Sequence, residues 1–76
     1  MALIKKLEER SFERPNLHSE VVCTYAIFEK DGQKLLQIDT YGRADREFPG
    51  KVSQSIQFDA ESAAQLLDIL HKEFGE

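Results

Sequence analysis

The dipeptide Asp31-Gly32 stands between two runs of β-favouring residues, EVVCTYAIFEK and KLLQIDTY, and constrains this chain more than any other feature. Asp-Gly in that setting is the sequence of a two-residue type I′ hairpin turn, whose central residues both take positive φ. A two-residue turn also dictates register. Lys30 then opposes Gln33, Phe28 opposes Leu35, Ile27 opposes Leu36, Tyr25 opposes Ile38 and Cys23 opposes Thr40, because antiparallel partners step outward one residue at a time. Cys23, Tyr25, Ile27, Leu36 and Ile38 share one face, expected on the core side. Val22, Thr24, Ala26, Phe28, Leu35, Gln37, Asp39 and Tyr41 share the other. That second set is too polar for a core and too apolar for an ordinary wetted surface, which marks it as a contact face.

After a connection bounded by Gly42 and Gly50, KVSQSIQFD alternates again. Val52, Ile56 and Phe58 are expected on the core side, and Lys51, Ser53, Ser55 and Gln57 on the opposite side. Asp59 is placed as a helix N-cap, with Glu61 beside the positive end of the helix dipole. In AESAAQLLDILHKEF the residues Ala63, Leu66, Leu67, Leu70 and Phe74 form one stripe of a 3.6-residue helix, and Gly75 closes it. Ile69 lies off that stripe and is a candidate subunit contact. Residues 1–19 fit a short helix face or an alternating strand equally well, and Pro15-Asn16 marks a turn within them. The expected fold is α+β in a single domain, residues 1–76: a curved antiparallel sheet of three to four strands over 20–58, then one C-terminal helix over 59–75.

A core drawn from 76 residues rarely supplies more than about 3–5 kcal/mol by itself. The single cysteine excludes an internal disulfide, and no His/Cys cluster has metal-ligand spacing, so self-association is the remaining source of buried surface. A homodimer is expected. Charges begin at position 5, which is unlike a secretory leader, and no run approaches the roughly 20 apolar residues of a membrane span. The expectation is a cytoplasmic protein with no membrane partner, in which Cys23 is a small buried hydrophobe.

Neither His18 nor His71 lies near a patterned acid or thiol, and Ser53 and Ser55 lack a nucleophile-elbow setting. The stretch GRADREFPGK does not match a Walker motif and leads to a strand, so no helix N-terminus follows to receive a phosphate. No enzyme and no cofactor are expected.

The net charge of −4 argues at first sight against nucleic acid. Residues 59–76 carry all of it, as Asp59, Glu61, Asp68, Glu73 and Glu76 against Lys72, so residues 1–58 are formally neutral. Arg43, Arg46 and Lys51 offer phosphate contacts beside Asp45 and Glu47, while Phe28 and Tyr41 share a face with Ser53, Ser55 and Gln57. Rings for base stacking next to basic loop residues suit a single strand, DNA or RNA. With Lys34, these make the candidate nucleic-acid contacts Phe28, Lys34, Tyr41, Arg43, Arg46, Lys51, Ser53, Ser55 and Gln57.

The order LLQIDTY (35–41), Pro49-Gly50-Lys51, Ile56-Gln57-Phe58 and a helix beginning at once from Asp59 resembles the single-stranded-DNA-binding domain of the transcriptional coactivator positive cofactor four and its small bacterial relatives. The resemblance covers roughly residues 21–72. It implies a homodimer that packs helices together and lays curved sheets and loops along single strands, in support of transcription or DNA repair. Lys51 falls on a basic position of that family, whereas Thr40, Tyr41 and Gly42 replace its basic and tryptophan positions. The alternative expectation is a small protein-interaction module that docks a protein partner through its exposed sheet face or its helix.

Overall fold

A computed structural model of the chain describes residues 1–42 and 50–75. Among these, four strands, β1 (Ala2–Ile4), β2 (Cys23–Lys30), β3 (Gln33–Tyr41) and β4 (Val52–Phe58), precede one helix, α1 (Ala60–Phe74). The arrangement is α+β, as the sequence leads one to expect. Asp31 and Gly32 hold φ of 52° and 77°, the two positive values that a type I′ turn requires. The hairpin register is the expected one from Lys30↔Gln33 to Cys23↔Thr40. One further bond, from the Tyr41 N–H to the Val22 carbonyl at 3.0 Å, carries the pairing past the end of β2.

β4 pairs antiparallel with β3, setting Phe58 opposite Leu36 and Ile56 opposite Ile38. The ladder shifts between Thr40, which faces Gln54, and Tyr41, which faces Val52, leaving Ser53 as the extra residue of a bulge. One inserted residue reverses the alternation beyond it. Val52 is therefore not on the Ile56 and Phe58 side, as simple alternation expects, but lies with Tyr41. Residues 2–4 take the strand option and run parallel to β4, with Ile4 opposite Phe58. The sheet order is β1-β4-β3-β2. Three strands are antiparallel, and β1 makes the sheet mixed.

α1 leaves the end of β4 through a reciprocal cap. Asp59 Oδ1 accepts from the Ser62 N–H at 3.0 Å, and Ser62 Oγ accepts from the Asp59 N–H at 3.1 Å. Two N–H groups that the first turn would leave without partners are satisfied in this way. Gly75, with φ of 76°, closes the other end by donating to the His71 carbonyl at 2.9 Å. The helix packs against β3 and β4. Of its apolar stripe only Ala63 and Leu66 are half-buried, whereas Leu67, Leu70 and Phe74 are exposed.

The buried core is small. Among the described residues, its fully buried apolar members are Leu35 and Phe58, and Leu35 comes from the face expected to lie outside the core. Cys23 is exposed rather than buried. Its neighbours Tyr25 and Ile27 on the same face are 76% and 53% exposed, so no described residue of this chain covers that part of β2. The chain presents 7092 Å² to solvent, where a compact monomer of 8.7 kDa presents about 4,700 Å². Its radius of gyration of 14.6 Å likewise exceeds the roughly 11.4 Å of a compact chain of this length.

Candidate nucleic-acid interface

β3 and β4 bring a row of polar side chains together on the face that carries Thr24 and Phe28. Gln57 Nε2 donates to Gln37 Oε1 at 2.9 Å, Gln37 Nε2 donates to Asp39 Oδ1 at 3.0 Å, and Ser55 Oγ donates to the same Asp39 oxygen at 2.5 Å. Register explains the meeting, since Gln37 pairs with Gln57 and Asp39 with Ser55 across the two strands. Chemistry explains its polarity. An ionised carboxylate only accepts, so Gln37 must turn its amide nitrogen toward Asp39, and its oxygen is then left to receive Gln57. All four side chains are half-buried.

An open recess of about 540 Å³ lies over this row, lined also by Met1, Leu3 and Val52. The bulge at Ser53 is what brings Val52 there. Tyr41 borders the row, its hydroxyl 3.1 Å from Thr24 Oγ1, so the phenol is fixed by a neighbour on β2. Phe28 is half-buried near the turn end of the same face.

Of the contacts expected from the sequence, Phe28, Tyr41, Ser55 and Gln57 share this face. Ser53, exposed in the bulge, and Lys51, exposed one residue before β4, lie at its end. Lys34 does not join them. It alternates with Leu35 and lines a second, largely apolar recess with Ile27, Leu36, Phe58, Ala60 and Ala63. Arg43 and Arg46 lie outside the described residues. Gln37 and Asp39, which sequence reasoning does not single out as contacts, are central to the row. Their signal is their alternation with Leu35 on β3, opposite Ser55 and Gln57 on β4.

A second polar cluster holds the helix start. Lys5 Nζ reaches Asp59 Oδ2 at 2.5 Å, and the Leu7 N–H donates to Gln65 Oε1 at 2.9 Å. The Lys5 ammonium and then the Ser62 N–H lower the Asp59 carboxyl to about 2, while Asp59 raises Lys5 above its ordinary value. Among the described residues no group of three or more His, Cys, Asp or Glu is placed to hold a metal ion, and no helix is long and apolar enough to cross a membrane. No family model matches this chain, and no curated protein or solved structure is significantly similar to it.

Proposed function

We propose that this protein binds single-stranded nucleic acid as a homodimer, through the face of β3 and β4 that carries the Gln57-Gln37-Asp39-Ser55 row, in the manner of the coactivator family its sequence resembles. The observation that carries this reading is an open sheet face on which amides and a hydroxyl are already aligned by one another, with a fixed tyrosine ring at its border. Aligned amides offer donors and acceptors to base edges, and an aromatic face offers stacking without demanding a sequence. Lys51, with Arg43 and Arg46 in the preceding segment, supplies charge for the phosphates. The Asp39 carboxylate opposes phosphate at the centre of the face. Bases are therefore expected over the row and the backbone toward Lys51.

Fluorescence anisotropy of labelled pyrimidine-rich, purine-rich and RNA oligonucleotides at low salt tests this reading. Saturable binding of at least one supports it. Absence of binding to all three would leave the protein-interaction module as the better reading.

A further inference from the structure

Residues 5–22 connect β1 at one edge of the sheet to β2 at the other, and they are fastened near their two ends. The Leu7 N–H is tied to Gln65 of α1, and the Val22 carbonyl to the Tyr41 N–H. Between these anchors the chain makes local contacts, such as the Arg10 guanidinium over the Phe12 ring at 4.2 Å. Residues 8–22 are exposed throughout. Phe12 is 62% exposed and Leu17 completely so. A strap fastened at both ends, with large apolar side chains turned to solvent, is expensive in water.

The same chain carries apolar groups that such a strap can cover. Tyr25 and Ile27 on β2, and Leu67 and Phe74 on α1, are large side chains left exposed. We infer that the strap of one copy lies over these exposed groups of a second copy, and reciprocally, so that the two chains are intertwined about a two-fold axis. The inference rests on the homodimer proposed above and names the surfaces that form it.

The exposed area is of the size that a second copy would cover. The excess over a compact monomer is about 2,400 Å² per chain. If both copies buried it, the interface would approach 4,800 Å², within the roughly 2,000–5,000 Å² of obligate dimers.

Two measurements test this on the full-length chain. Sedimentation equilibrium compares the wild type with the double variant Phe12→Ser/Leu17→Ser, whose altered side chains are both exposed in the single chain. The dimer should dissociate at least tenfold more readily in the variant, with an unchanged circular dichroism spectrum. An unchanged dimer constant would overturn the inference. In a dimer mixed from labelled and unlabelled chains, isotope-filtered nuclear Overhauser contacts should join Leu17 of one chain to Tyr25 or Leu67 of the other. Their confinement to a single chain would overturn it independently. A wild type that binds oligonucleotide yet sediments as a monomer would sink the strap and spare the sheet-face reading. An intertwined dimer that binds no oligonucleotide would do the reverse.

Discussion

Lys5 Nζ lies 2.5 Å from Asp59 Oδ2, so the residue that follows β1 is clamped to the residue that caps α1. The contact spans 54 positions of sequence and joins two elements that share no local signal. It also gives the fold a defined response to acid. The Asp59 carboxyl titrates near 2 in the folded chain against an ordinary value of 3.8. A carboxyl depressed on folding contributes stability above its unfolded value, and that contribution fades as pH falls through the folded one.

The first prediction follows from that sign. Thermal melts from pH 7 to pH 2 should show wild-type stability falling between about pH 4 and pH 2. Asp59→Asn retains a competent N-cap but cannot titrate, so its midpoint should fall less steeply over the same interval. Equal slopes for the two proteins would show that Asp59 is not the acid-sensitive group.

The second concerns the hairpin. Gly32 has φ of 77°, and no atom lies within 4 Å of the point where a Cβ would project, so Gly32→Val tests backbone conformation without a steric clash. A β-branched residue resists positive φ at a cost of about 1–2 kcal/mol. For a domain this small, each kcal/mol shifts Tm by roughly 4–8 °C. A variant melting within a degree of the parent would contradict the type I′ turn.

Local chemistry explains what is legible in the sequence. Asp31-Gly32 specifies a register, Asp59 a cap and Gly75 a stop, and each acts within a few residues of itself. The departures come from long-range geometry. Three residues of β1 are too few to show a period, and their partner lies at the other end of the chain. The bulge at Ser53 has no glycine to announce it, so simple alternation misplaces Val52 beyond the extra residue. Cys23 shares a face with Tyr25 and Ile27, which suggests burial, but burial needs a covering surface and no described residue of this chain brings one there. Of the candidate site, alternation finds the face and its rings. It passes over Gln37 and Asp39, whose importance is visible only once Gln57 and Ser55 are seen across the strand pair.

The third prediction uses Asp39. If bases lie over the row with the phosphates beside it, removing its charge while keeping an acceptor should favour binding. A unit charge about 4 Å away in water contributes about 1 kcal/mol, a factor of about five, and less at the greater distance of a backbone held toward Lys51. Asp39→Asn should therefore tighten oligonucleotide binding at low salt by up to about that factor, whereas Asp68→Asn on the helix should change it little. Equal effects at both positions would mean that only net charge matters and that the row is not the contact.

The central claim is contact between this sheet face and a single strand, and the salt dependence of oligonucleotide affinity tests it most directly. With Arg43, Arg46 and Lys51 from each of two subunits, counterion release on a single strand gives a log–log slope of roughly −2 to −4. Lys51→Glu should flatten that slope. Tyr41→Ala should instead weaken binding by about 1–3 kcal/mol per stacked base and leave the slope nearly unchanged. That pair of results is the one expected. A slope near zero, or Tyr41→Ala binding as tightly as the wild type, would contradict it.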